Sequence, residues 1–418
     1  MTTTPFRFAV DEIDERAGSL TYDLLSVSID RGVTLRSDST TDQPPADDLS
    51  NYKVCHRDDV ALNRMRAFQG ALGLAPQVGM VSPDYAVLRA TGRVVPRFLA
   101  YTMRSRWFVG QMTARLRGIG DPSLGTVRTP RVNVDDLGDI NLRLPPTTDQ
   151  RRIADFLDDR VARIDQIIAA RKQEAMLLEE SLLRGSFDVV RGTGQAARRD
   201  SGLPWLGTIP STWPLLTVTT EFQVDLGKML DEKRQVGASA IPYLRNTNVQ
   251  WDRVEVSDLK QMDIDPAERE RYCVRQGDLL ICEGGQPGRS AVWFGELAPL
   301  GFQKALHRAR SRGRSRPEWL LECLRVAAHL NVFAVENGQT TIGHLTNEQL
   351  RSLRLPFPDP SEQDRALDDL HSRQDRVRRA QAALHAGVDR LQEYKQSLIT
   401  AAVTGQLDVT TAGNGIPG

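Results

Sequence analysis

The sequence predicts a mixed α/β (α+β) chain made of two globular units and two long helices, built by internal repetition. Three observations carry that expectation. The stretch Leu142-Arg-Leu-Pro-Pro-Thr-Thr-Asp-Gln150-Arg-Arg-Ile-Ala-Asp-Phe-Leu157 returns as Leu355-Pro-Phe-Pro-Asp-Pro-Ser-Glu-Gln363-Asp-Arg-Ala-Leu-Asp-Asp-Leu370. Gln150 and Gln363 stand 213 residues apart, as do Gly192 and Gly405, so the copies align without a gap. The segments ahead of them repeat as well: Pro96–Met103 is answered by Pro317–Leu324 at an offset of 221, and Tyr52-Lys-Val-(x3)-Asp58 by Tyr272-Cys-Val-(x3)-Asp278 at 220. Self-similarity of this kind is the mark of a duplicated architecture.

In chain order, residues 1–145 form the first unit, with Leu24–Ile29 and Tyr85–Leu88 as strands. Pro96–Met103, extending to Phe108, reads as a helix with proline in its first turn. Residues 146–192 read as the first long helix, capped by Thr148 with Asp149 in its first turn and stopped at Gly192. Residues 193–204 read as a flexible linker, Arg191–Asp200 being rich in small residues. The run Trp205-Leu-Gly-Thr-Ile-Pro-Ser-Thr-Trp213 is an ordered docking strand opening the second unit, 205–357, where Tyr243–Val249 and Asp278–Ile281 read as strands. Residues 358–408 form the second long helix, with Ser361 as its cap, and 409–418 a disordered tail.

Heptad spacing predicts that the long helices pair. Leu370, Val377, Leu384, Leu391 and Leu398 fall every seven residues in the second, beside a companion row of Gln374, Gln381, Val388 and Lys395. The first has Leu157, Ile164, Arg171 and Leu178, and a stronger companion row of Val161, Ile168, Ala175 and Leu182. Each helix is weak where the other is strong.

With 54 basic and 54 acidic residues the chain has no net charge, which disfavours a protein that coats nucleic acid but leaves local patches open. No apolar run approaches a membrane span. Cys55, Cys273, Cys282 and Cys323 form no CxxC and no ligand cluster, and read as buried thiols in a reducing cytoplasm. There is no phosphate-loop pattern, and no Asn/Asp-Pro-Pro-aromatic tetrapeptide of base-flipping methyltransferases. Asp278 with Glu283 offers a metal-nuclease pair, against the plainer reading of a strand-end Asp and a loop Glu.

What remains is basic and polar. Gln303, Lys304, His307, Arg308, Arg310 and Arg312 lie in a stretch to Arg316 that holds no acid, and Asn63, Arg64, Arg66, Gln69, Arg104, Arg106, Arg115 and Arg117 serve similarly in the first unit. Arginine forks fit phosphate and guanine O6/N7, and Asn or Gln fits adenine N6/N7. That singles out Arg245, Asn246, Asn248, Gln286 and Arg289, with Gln339, Thr340, Thr341 and His344 on a small-residue loop. Solvated surface is the bland alternative for each.

The motifs Leu144-Pro-Pro-(x3)-Gln150-Arg-Arg-Ile-Ala-Asp-Phe-Leu-Asp158, Leu178-Glu-Glu-Ser-Leu-Leu, Glu393-Tyr-Lys-Gln-Ser-Leu-Ile-Thr-Ala-Ala-Val-Thr-Gly405, Gly277-Asp-Leu-Leu and Thr341-Ile-Gly-His-Leu345 resemble those of the specificity (S) subunits of Type I restriction–modification enzymes. The resemblance implies two target-recognition domains held apart by two helices in an antiparallel coiled coil, an internal pseudo-two-fold repeat. Each domain would read half of a bipartite site on double-stranded DNA. It implies docking of two methyltransferase (M) subunits and recruitment of restriction (R) subunits. S-adenosylmethionine, ATP and Mg would sit on those partners and no cofactor on this chain. A helix from about 150 to 184 would run roughly 50 Å at ~1.5 Å per residue, more than one ~34 Å turn of duplex. A coiled-coil adaptor without a DNA role and a free-standing metal-dependent nuclease are the rival expectations.

Overall fold

The computed structural model describes residues 2–38, 48–116, 130–230, 237–333 and 343–409. They divide into two compact units, Met1–Lys172 with Leu384–Gly418, and Gln173–Ala383. Each unit includes a part of both long helices.

The first unit is built on a four-stranded antiparallel sheet with spatial order Val10–Ile13, Tyr85–Ala90, Val60–Asn63, Leu72–Leu74. The second repeats it with Phe222–Leu226, Leu306–Ser311, Leu279–Cys282, Ser290–Val292. In both, the order is first, fourth, second, third along the chain. Each unit also pairs its opening strand with the strand before a long helix: Thr2–Pro5 with Asn141–Leu144, and Leu215–Thr217 with Arg354–Pro356.

The shared frame corrects one alignment. Asp58, matched to Asp278 by sequence, adopts φ 70°, and its counterpart is Gly277 at φ 87°. The true partner of Asp278 is Asp59. Each carboxylate accepts a backbone N–H three residues upstream, from His56 at 2.9 Å and Arg275 at 2.7 Å. Apart from the frame the units diverge. The first adds the hairpin Leu25–Ser28/Gly32–Leu35 and the pair Lys53–Cys55/Gly79–Val81. The second adds a three-stranded sheet of Lys260–Asp263, Ala240–Leu244 and Gly301–Phe302. The strand expected over Tyr243–Val249 thus ends at Leu244, and Asn246–Asn248 is a 3-10 turn.

The helix expected from Pro96 to Phe108 is two, Pro96–Arg104 and Arg106–Thr113. Ser105 is extended between them, and its Oγ accepts from Phe108 N at 3.2 Å, which caps the second. Pro317–His329 is continuous. These helices close the two main cores. One holds Leu62, Leu88, Phe98 and Phe108 with Leu157, Ile399 and Ala402 of the long helices; the other holds Phe222, Ile281, Trp319 and Leu324 with Val190 and Leu367. Each fully buried Leu, Ile, Val or Phe among them contributes about 1.5–3 kcal/mol.

The long helices are Thr147–Arg191 and Pro360–Thr404, each of 45 residues. Gly192 at φ 59° and Gly405 at φ 75° end them, as left-handed residues commonly do. Thr148 and Ser361, expected as caps, lie inside the first turn. The entry is instead fixed by the repeated glutamine, which is buried in both copies. Gln150 Oε1 accepts from Val95 N at 2.7 Å, and its Nε2 donates to the Pro145 and Arg93 carbonyls. Gln363 accepts from Arg316 N at 2.9 Å and donates to the Pro358 carbonyl and Ser315 Oγ. A single amide ties each long helix to the chain entering its short helix.

Within the first unit the long-helix segments are antiparallel, with Lys395 Nζ 2.6 Å from Asp165 Oδ1 and Arg171 lying over Gly387. Ile164, Ile168 and Val388 form their apolar contact, with Leu391 and Leu398 partly buried against it; Leu157 is buried in the unit's main core, and Val161 packs against that core. Within the second unit they are antiparallel too: Leu370 lies against Gly185, and Gln381 Nε2 donates to the Ala175 carbonyl at 3.2 Å. There the seam is looser. Leu370 is buried, while Leu178, Leu182 and Val377 are half-buried. Leu384, at the boundary of the units, is half-buried as well.

The stretch read as a flexible linker is folded at its end. Arg198–Asp200 pairs with Thr208–Pro210, and the Arg198 guanidinium donates to the carbonyls of Arg191, Gly192 and Thr208. The Arg191 and Gly192 carbonyls, orphaned at the helix end, draw the arginine in. Trp213 docks edge-on against Trp319 at 5.6 Å. Most of the tail, 410–418, lies outside the described residues.

Candidate nucleic-acid interface

Antiparallel pairing gathers four strand ends at one edge of each sheet. In the first unit that edge carries the hairpin loop 64–71, between Val60–Asn63 and Leu72–Leu74; in the second it carries 283–289, between Leu279–Cys282 and Ser290–Val292. Arg64, Arg66 and Gln69 of the first loop thus occupy the same place in the repeated frame as Gln286 and Arg289 of the second.

In the first unit Asn63 accepts from Met65 N at 3.1 Å and donates to the Tyr85 hydroxyl at 3.3 Å. Arg64 turns inward to Glu12 and Asn133. Arg66 and Gln69 are exposed. Arg104 is half-buried, Arg106 faces Glu393 at 3.6 Å, and Arg115 donates back to Gln111. These three do not join the hairpin loop as a set. Arg117 lies outside the described residues.

In the second unit Asn246 Nδ2 donates to the Gly284 carbonyl at 2.9 Å, and the His344 ring packs over Gly284. Arg289 donates to the Asn246 carbonyl at 3.1 Å. Gln286 and Lys304 are exposed beside them, and Gln303 is half-buried. Arg245 pairs with Asp258 at 2.5 Å, and Asn248 spends its side chain on Arg245 N and on the Glu255 and Asp258 carbonyls. Asn248 is therefore a turn-former, with no group left for a base. Gln339, Thr340 and Thr341 lie outside the described residues.

The reading of Lys304–Arg316 as one basic loop is corrected. Leu306–Ser311 is the central strand, six residues spanning about 17 Å. Lys304 sits at the hairpin edge, whereas Arg312 and Arg316 sit at the opposite end. There Arg316 grips Asp364 at 2.5 Å, and its guanidinium holds that carboxyl below the usual range. Arg308 is wholly buried, bonded to Asp225 Oδ2 at 2.5 Å and to the carbonyls of Cys273 and Glu270. Arg310 forks onto Asp278, both bonds at 2.7 Å. His307 is buried, with its Nε2 2.8 Å from the Leu345 carbonyl, and burial lowers its imidazole below the ordinary value. None of the three presents a fork or ring to a ligand. Their partner acids are distant in sequence, which is why the stretch reads as unpaired.

Asp278 and Glu283 flank opposite ends of Leu279–Cys282, so they form no shared site. Burial pushes the Cys55 thiol up to about 12, and also raises those of Cys273, Cys282 and Cys323, which disfavours their thiolates. Sequence reasoning missed the bidentate pair of Arg89 and Asp59, at 2.8 Å for both bonds, which repeats Arg310 and Asp278. It also gave Gln150 and Gln363 no role, although their exact 213-residue spacing was the available signal.

No protein-family model and no curated protein matches the sequence. Solved structures do. A chain from a study of complex assembly and conformational transition of the type I R-M system matches with a TM-score of 0.69 at 17% identity, over 97% of this chain and 100% of that one. The HsdS subunit from Thermoanaerobacter tengcongensis matches with a TM-score of 0.55 at 18% identity, over 97% of each chain. At these identities the likeness is one of fold, and the chain has the HsdS fold. Among the described residues no helix is long and apolar enough to cross a membrane.

Proposed function

We propose that this chain is the specificity subunit of a type I restriction–modification complex. It reads a bipartite site on double-stranded DNA and directs adenine methylation and restriction by partner subunits. One observation carries the reading: the same sheet, the same Arg–Asp fork and the same exposed hairpin edge are built twice, with different residues on the edge. A duplicated frame with divergent edges suits two readers of two half-sites. The long helices supply the surface on which two methyltransferase (M) subunits dock, with restriction (R) subunits joining the assembly. S-adenosylmethionine, ATP and Mg belong to those partners, and this chain performs no chemistry by itself. Its place is the cytoplasm.

Replacing residues 215–340 by the matching region of another such subunit, then mapping methylated sites in cells that also carry the methyltransferase, tests this. One half of the site is expected to change. A change in both halves, or methyl transfer or DNA cleavage by the purified chain alone, would overturn the reading.

A further inference from the structure

We propose that Arg66 and Gln69 are the specificity-determining pair of the first unit, reading a guanine and an adenine in the major groove within two base steps of each other. The inference rests on the DNA-recognition reading above and adds the residues and the bases.

The loop that carries them is rigid. The Arg66 carbonyl accepts from both Gln69 N at 2.9 Å and Ala71 N at 3.2 Å, Gly70 N donates to Ala67 O at 2.8 Å, and Asn63 N closes on Ala71 O at 3.1 Å. Gly70 turns the chain at φ 98°, a conformation that favours glycine. Ala67 is fully buried beneath it. Base readout needs this fixed aim.

Both side chains are exposed, and neither has a side-chain hydrogen bond or ion pair among the described residues. Their neighbour Arg64 is different, its fork being committed to Glu12 and Asn133. Arg66 precedes and Gln69 ends the 3-10 turn Ala67–Gln69. Positions three apart on such a turn eclipse, with a rise of roughly 6 Å, which is one to two base steps at ~3.4 Å. An arginine fork matches guanine O6/N7 and a glutamine amide matches adenine N6/N7. The equivalent loop of the second unit exposes Gln286, while its arginine, Arg289, is turned inward onto the Asn246 carbonyl. That loop offers an amide and no free fork, so the paired guanine–adenine readout is assigned to the first unit's loop.

The test uses the full chain co-expressed with its methyltransferase partner and maps the methylated motif genome-wide. Arg66→Ala is expected to relax one guanine in one half of the motif, and Gln69→Ala one adenine within two positions of it, each by about 5- to 150-fold in discrimination. Arg66→Lys keeps the charge and loses the fork, so it should relax the same guanine. On the purified complex all three should bind with unchanged salt dependence. If Arg66→Ala left the motif intact and flattened the slope of log K against log salt by about 0.9, Arg66 would be a phosphate clamp and the inference would fall while DNA recognition stood. Relaxation of the same half by Gln286→Ala would equally overturn the assignment. A wild-type complex with no bipartite motif would sink both the inference and the proposed function.

Discussion

The central strands of the two units, Tyr85–Ala90 and Leu306–Ser311, hold the same place in the same sheet and are made of different matter. Ala86, Val87, Leu88 and Arg89 in the first correspond to His307, Arg308, Ala309 and Arg310 in the second. Arg89 and Arg310 keep one fork, onto Asp59 and Asp278. The pair beside it does not survive: Ile13 faces Val87 in the first unit, and Asp225 faces Arg308 in the second. A core position can thus change from hydrocarbon to ion pair while strand order holds, provided the buried charge finds enough partners. Arg308 does so through Asp225 and two backbone carbonyls.

The comparison breaks most sharply at that ion pair. Arg308→Val strands Asp225 and two carbonyls, and should cost about 3–5 kcal/mol in urea denaturation of the chain. The double change Asp225→Ile with Arg308→Val copies the first unit and should recover most of that loss. If the double variant proved as unstable as the single, the two strands would not be interchangeable.

The repeated glutamine sharpens the shared part of the comparison. Gln150→Leu and Gln363→Leu each remove the acceptor of a part-buried backbone N–H, of Val95 or Arg316, and the donor to a buried carbonyl, of Pro145 or Pro358. Both should lose about 1–3 kcal/mol. Unequal losses, read as amide exchange around residues 95 and 316, would show that the clamps are not equivalent.

The smallest effect is in pH. His307 is held neutral by burial, with a lowered pKa. The unfolded chain takes up a proton near ~6.5. Stability of the second unit should therefore be level above that pH and fall as pH drops through ~6.5 toward the depressed folded value, by at most ~1.4 kcal/mol per pH unit from this group. The first unit has Ala86 at this place and lacks this titrating group. Amide exchange of 279–311 against 60–90, at pH 7 and pH 5.5, would separate them.

The sequence revealed most where the signal is local. The long helices follow from heptad rows and a constant offset, and their glycine stops are where the chain places them. It failed where partners are far apart in the chain. Arg308 and Asp225 are 83 residues apart and Arg310 and Asp278 are 32 apart, so the acid-free run around them looked like open basic surface. The Asp58 alignment failed by one residue because a left-handed turn can be made by an aspartate in one copy and a glycine in the other. The equivalence of loops 64–71 and 283–289 was invisible because it lies in strand order and not in shared residues.

The division into two units has a consequence for how the protein is made. Gln173–Ala383 is one unbroken stretch, whereas the unit that begins at Met1 is closed by Leu384–Gly418, and its core includes Ile399 and Ala402. Domains commonly fold N-terminal first as they leave the ribosome. Here the order is inverted: the unit that holds Met1–Lys172 must wait, with an open core, until Leu384 and the residues after it have been made. A stop codon after residue 383 would spare the stretch just made and undo the unit that precedes it.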